Sequence, residues 1–142
     1  MKKLILILLL SFNALFISLT YAMEKTPAPK NAALYIIAPQ NNATISNPIK
    51  IIFGLKNMGV APAGIKYAQT GHHHLLINLD NLPSLDRPIP SDKNHIHFGK
   101  GQTETTIQLP PGEHTLQLIL GDHHHIPHDP AVISEKITIF VN

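Results

Sequence analysis

The alternation of apolar and polar residues along this chain predicts a series of short β-strands. Every second residue is apolar over 49–55, 75–79 and 116–120, which is the period of a strand with one buried face. Turn residues such as Pro110-Pro111-Gly112 separate these stretches, and no helical period follows the first 22 residues. Strands are predicted at 33–38, 49–55, 71–79, 95–98, 103–109, 114–120 and 132–141. About seven strands predict an all-β fold, an immunoglobulin-like β-sandwich, with a small β-barrel as the alternative.

The first 22 residues have the pattern of a signal peptide. Lys2 and Lys3 precede an apolar run over 4–19, and Thr20-Tyr21-Ala22 resembles a cleavage site. We therefore expect a periplasmic or secreted protein with no membrane span after cleavage, an uncleaved anchor being the alternative. Residues 23–32 are then predicted to form a flexible N-terminal tether, and residues 33–142 the β-sandwich domain.

Charge and cysteine content exclude several function classes. Lys and Arg total 11 against 9 acidic residues, so removal of Lys2 and Lys3 leaves 9 against 9 and a net charge of 0. A neutral chain does not offer the concentrated basic surface that nucleic acid requires. The absence of cysteine excludes disulfides and thiolate ligands, and any metal would be one that suits imidazole, such as Cu(II), Zn(II) or Ni(II).

Nine of the ten histidines lie in three interior stretches, 72–74, 95–97 and 123–128. Strand alternation places His72 and His74 on one face, about 7 Å apart, and likewise pairs His95 with His97. We expect the three stretches to meet at one end of the sandwich and to bind a metal ion. The predicted ligands are His72, His74, His95, His97, His123, His125 and His128. Asp122 and Asp129 are expected to orient these imidazoles through hydrogen bonds or to ligate directly.

Other readings of these histidines stay open. The whole set could instead form a solvated polar rim. His73 has the parity of the core face, so a buried structural role is expected, whereas His124 is expected to face solvent. His114 follows the Pro111-Gly112 turn, and we expect it to hydrogen-bond back to that turn.

Several of these motifs together resemble a known family. They are Gly59–Gly64, Gly71–Ile77, His95–Glu104, Leu109–Leu116 and Asp122–Pro130. The resemblance is to an uncharacterised family of exported bacterial proteins, catalogued as domain of unknown function 4399, and it implies no established activity. The order of elements over 109–128 also resembles that of periplasmic copper-binding sandwich proteins, a likeness at the level of the fold.

Three functions follow as hypotheses. The first is a periplasmic histidine-rich module that binds Cu(II) or Zn(II) for buffering, carriage or delivery. The alternative is a cell-envelope interaction module that holds a glycan, peptide or protein partner on an exposed face or on the 80–94 loop. The third is a metalloenzyme, although no Ser-His-Asp arrangement can be picked out. Because histidine titrates near pH 6.5, acidification to about pH 5.5 should release any metal that these imidazoles hold.

Overall fold

The computed structural model describes residues 25–142, so the predicted signal peptide lies outside the described residues. Nine strands follow one another, and the described part of the chain contains no helix. They are β1 (Ala33–Ala38), β2 (Ala43–Ile45), β3 (Ile49–Lys56), β4 (Gly59–Val60), β5 (Thr70–Ile77), β6 (His95–His97), β7 (Glu104–Ile107), β8 (Gly112–Gly121) and β9 (Ile137–Val141). Across 25–142 there is accordingly no apolar helix of membrane-crossing length.

The strands form two sheets that share one core. The smaller sheet has the order β1-β3-β7, and the larger has the order β2-β9-β8-β5-β4, with β6 also paired to β5. Alternate residues of both sheets meet between them, including Ile51 and Phe53 from β3, Leu75 from β5 and Leu118 from β8. This arrangement confirms the prediction of an all-β sandwich. The prediction of about seven strands missed the short β2 and β4, and β9 begins at Ile137 rather than at residue 132.

Strand register places three histidines on one face. In the antiparallel pair of β5 and β8, His72 lies opposite Gly121 and His74 lies opposite Ile119. In the pair of β5 and β6, His74 lies opposite His97. Because residues directly opposite each other point to the same side of a sheet, His72, His74 and His97 share the face that is turned away from the core.

That outer face is covered rather than open to solvent. A second apolar cluster joins Leu76 of β5 and Ile119 of β8 to Ile89 of the 80–94 loop. Each of these three side chains is buried. The long loop predicted between β5 and β6 therefore packs onto the sheet and encloses the histidines beside it.

The segment before β1 also contacts the loops that cover the outer face. The backbone amide of Ala28 donates to the carbonyl of Asp129 at 2.9 Å, and the amide of Asp129 donates to the carbonyl of Thr26 at 3.0 Å. Lys25 pairs with Asp86 of the 80–94 loop at 2.6 Å. The described part of the expected tether thus lies along the loops that cover the outer face.

Candidate metal centre

Four imidazole rings meet on the outer face of the larger sheet. Ring centroids of His72 and His74 are 4.8 Å apart, and that of His97 is 5.0 Å from each of them. The ring of His125 lies 5.0 Å from His72, 4.8 Å from His97 and 6.1 Å from His74. The three histidine-bearing stretches therefore meet, as the sequence predicts. They do so on a covered sheet face, near the point where β8 ends, and not on an open pole.

The spacing of the rings matches that of ligands around one ion. Ligand nitrogens of His72, His74 and His97 lie within 4.8 Å of one another. A tetrahedral ion with metal–nitrogen bonds of about 2.0–2.1 Å puts the centroids of its imidazoles roughly 5 Å apart. Five of the six centroid separations are between 4.8 and 5.0 Å, and only that of His74 and His125 is longer, at 6.1 Å. This cluster of histidines could hold a metal.

The buried rings lack hydrogen-bond partners. His72 and His74 are 0% and 1% exposed, and neither nitrogen of either ring has a partner among the described residues. The Nε2 atom of His97 is likewise buried without one. An unpaired buried polar group costs about 1–3 kcal/mol, so most native polar groups avoid this state. These five nitrogens belong to three neighbouring rings, and a ligand bound among the rings would supply one missing interaction to each.

Burial also keeps these rings neutral. Desolvation, reinforced by the neighbouring rings of His125 and His97, lowers the pKa of His72 from 6.5 to about 4. Desolvation and the same kind of repulsion lower the pKa of His74 to about 3, and burial lowers that of His97 as well. Because metal binding requires the neutral imidazole, these three rings are ready to bind a metal below pH 6.5. The pKa values of His72 and His74 lie below pH 5.5, so these two rings stay neutral at the pH where release of a metal was expected.

Two glycines make room for the rings. A Cβ atom at Gly99 would lie 2.3 Å from Cε1 and 2.7 Å from Nε2 of His97. A Cβ atom at Gly121 would lie 2.8 Å from Cε1 of His74 and 3.3 Å from Cα of His125. Neither glycine has a positive φ, so their role is to leave space. Neither glycine was predicted from the sequence, although glycine at a strand end often marks a close approach.

A tight turn carries His125 to the cluster. Both the side chain and the carbonyl of Asp122 organise this turn. Its Oδ1 accepts from the backbone amides of His124 and Ile126 at 2.8 and 3.0 Å, and its carbonyl accepts from the amide of His125 at 2.8 Å. His125 takes a left-handed φ of 67°, which is uncommon for a residue with a side chain. The turn therefore sets where the ring of His125 points.

Three predicted ligands, His95, His123 and His128, lie outside the cluster. His95 is two residues from His97 on the same face, and its Nδ1 donates to Oδ1 of Asp92 at 2.9 Å. The ring of His123 lies against that of His124, with centroids 4.0 Å apart. His123 also lines a surface groove with Thr26 and residues 65–70, and burial lowers its pKa.

His128 lies on the opposite side of the sheet. A Cβ atom at Gly71 would come within 2.8 Å of Cε1 of His128, and Gly71 shares the core-facing parity of His73. His128 is fully buried there, and its Nε2 donates to the carbonyl of Thr70 at 3.0 Å. The sheet itself therefore separates His128 from His72 and the other outer-face rings.

The two aspartates contact backbone and a hydroxyl rather than the clustered rings. The amide and carbonyl of Asp129 bond to the segment before β1, and its side chain has no hydrogen bond among residues 25–142. Burial alone would raise the pKa of Asp122. Hydrogen bonds from the Thr26 hydroxyl and from the amides of Ile126 and His124 outweigh this effect and lower it. Asp122 acts on the site through the turn.

Two of the remaining histidines have structural partners and the third is exposed, as expected. Nδ1 of His73 donates to the carbonyl of Gln102 at 3.2 Å, and its ring packs on Phe53 in the core. Nε2 of His114 donates to the carbonyl of Pro110 at 2.8 Å, which fixes the turn before β8. His124 is exposed.

The chain matches the profile of one family, described as Domain of unknown function (DUF4399), over residues 51–142. The chain belongs to this family. The match confirms the resemblance seen in the motifs, and it spans β5, β6 and the turn after β8, which carry all four clustered rings. No curated protein and no solved structure matches the chain.

Proposed function

We propose that this protein binds one divalent metal ion through the imidazoles of His72, His74, His97 and His125. The observation that carries the proposal is the near-equal separation of these rings, with five of six centroid distances at 4.8–5.0 Å. Three of these rings, His72, His74 and His97, have buried nitrogens without partners, and the fourth, His125, completes the spacing of a four-imidazole ligand set.

The spacing favours Zn(II) over Cu(II). A square-planar Cu(II) centre has four short and two long separations between ligands, whereas a tetrahedral centre has six equal ones. Zn(II) has no geometric preference from its d electrons and takes tetrahedral nitrogen sites readily. The one longer separation, 6.1 Å between His74 and His125, distorts the tetrahedron towards a square plane but does not reach it. Cu(II) is therefore the second candidate.

The ligand set also favours carriage over catalysis. Four protein ligands leave a Zn(II) ion no open position for a substrate, which is the pattern of closed sites. Ligating histidines usually donate their second N–H to a fixed partner, and loss of that partner weakens binding about 10- to 100-fold. His72 and His74 have no such partner among the described residues. A closed site whose ligands lack hydrogen-bond partners of their own suits a protein that buffers, carries or delivers metal. We propose the periplasm or the cell exterior as its location.

Calorimetric titration of the untagged apo protein with Zn(II) and Cu(II) tests this function. We expect one site with a dissociation constant below about 10 μM. His74→Ala should abolish this binding, whereas the matched variant His124→Ala, which alters an exposed ring outside the cluster, should retain it. Absence of binding by the folded wild-type protein would refute the proposal, as would equal loss in both variants.

A surface groove favours a second candidate, an interaction module. The groove has a volume of about 560 Å³ and includes Ile65 and Tyr67, which are 55% and 72% exposed. Exposed aromatic side chains at a concave surface are typical of sites that hold a peptide or glycan. This function predicts that Tyr67→Ala abolishes partner capture while a chelator has no effect. Capture that a chelator removes would contradict it.

A further inference from the structure

The four rings are not held equally. His72 and His74 lie within β5, and His97 lies in β6, so sheet hydrogen bonds fix their backbone. His125 lies on the turn after β8, outside any strand, and it is half-buried like His97. If the four imidazoles bind a metal, as proposed above, His125 is the ligand that can leave without breaking a strand pair.

The position of this turn depends on the Asp122 carboxylate. One oxygen, Oδ1, accepts the two amide hydrogen bonds that shape the turn. The other, Oδ2, accepts a hydrogen bond from the hydroxyl of Thr26 at 2.6 Å, across 96 residues of sequence. Asp122 is 3% exposed, so little solvent is available to replace this donor. Hydrogen bonds to ionised groups are roughly twice as strong as neutral ones.

Thr26 belongs to a segment that spans both covering loops. We name residues 25–28 the strap. Its backbone bonds Asp129 on the His125 side, through Ala28 and Thr26 at 2.9 and 3.0 Å, and Lys25 pairs with Asp86 of the 80–94 loop. That same loop donates the Ile89 amide to the carbonyl of His125 at 2.8 Å. The strap therefore closes a ring of contacts around the turn.

We infer that Thr26 is a positioning residue for the metal centre: through Asp122 it holds the turn that points His125 at the ion, and so controls how fast the metal leaves. Loss of the hydroxyl would leave Oδ2 of Asp122 buried without its donor and would loosen the turn. The three strand-borne ligands would be unaffected, so the loss of metal should become faster while the fold persists.

Stopped-flow measurement of Zn(II) loss to excess chelator tests this inference. Thr26→Val, which keeps the shape and removes the hydroxyl, should accelerate dissociation about 10-fold. Thr26→Ser keeps the donor and should restore the wild-type rate. Thr106→Val is the matched control, because Thr106 lies exposed on β7, where valine is tolerated.

A double variant separates positioning from general loosening. In a His125→Ala background the ligand that Thr26 acts through is gone, so adding Thr26→Val should change the dissociation rate less than two-fold. An unchanged rate in Thr26→Val, or an equally large effect in the His125→Ala background, would overturn the inference while leaving the metal function intact. Absence of Zn(II) binding in the wild-type protein would instead refute the function itself.

Discussion

Replacement of Gly99 by alanine tests the site with one added methyl group. The new Cβ atom would lie 2.3 Å from Cε1 of His97, whereas carbon atoms in contact are about 3.5–4.0 Å apart. The ring of His97 must therefore move by roughly 1 Å or more, while metal–ligand bonds tolerate only about 0.2 Å. The three nearest atoms to the added methyl all belong to that ring, so the closest clash is with the ligand itself.

We expect Gly99→Ala to weaken Zn(II) binding at least about 100-fold, since it removes a direct ligand and loss of a mere supporting contact already costs 10- to 100-fold. Because the methyl group overpacks the space beside His97, apo stability should fall by about 1–3 kcal/mol while the fold persists. Competition with a chelating dye measures the affinity, and thermal unfolding the fold. Gly59→Ala on β4 is the matched control, where the Cβ atom meets the Thr70 methyl at 3.2 Å. Wild-type affinity in folded Gly99→Ala would refute the assignment of His97.

Three further predictions follow from burial and position. His74→Leu replaces a ring with two unpaired nitrogens by an apolar side chain of similar size. We expect apo stability to be kept or raised by about 1–3 kcal/mol while metal no longer raises the melting temperature, and a strongly destabilised apo variant would contradict this. Acidification should destabilise the apo protein, because the folded state keeps His72 and His73 neutral to about pH 4 while the unfolded state takes up protons below 6.5. The free energy of unfolding therefore has its full value above pH 6.5. It falls between pH 6.5 and pH 4 by on the order of 3 kcal/mol for each of these two histidines. Denaturant unfolding at several pH values measures it, and a flat profile would contradict the burial argument. His95→Ala should leave Zn(II) affinity within about three-fold, since that ring bonds Asp92 instead, and a large loss in calorimetry would place His95 in the site.

Strand alternation was enough to predict half of the site. The period of two put His72 and His74 on one face and His73 on the other, and it did the same for His97 relative to Ile96. It could not separate His97 from His95, because both have the same parity and only the pairing of β6 with β5 selects the one opposite His74.

The third stretch could not be resolved, because it is a turn. β8 ends at Gly121, so alternation no longer applies to His123, and the turn over 122–126 reverses the chain so that Pro127 pairs antiparallel with Gly121. His128 ends on the core side for the same reason. Long-range contacts such as that of Thr26 with Asp122 leave no periodic pattern in the sequence. The packing of the 80–94 loop, which encloses the outer face, leaves none either.

The most direct test is nuclear magnetic resonance of the histidine ring nitrogens during Zn(II) titration of untagged, nitrogen-labelled protein. At one equivalent, the signals of His72, His74, His97 and His125 should change together and then stop changing. Those of His73, His95, His114 and His128 should stay where they were. Changes led by His95, His123 and His124, or gradual changes in all ten histidines beyond one equivalent, would contradict a single four-imidazole centre.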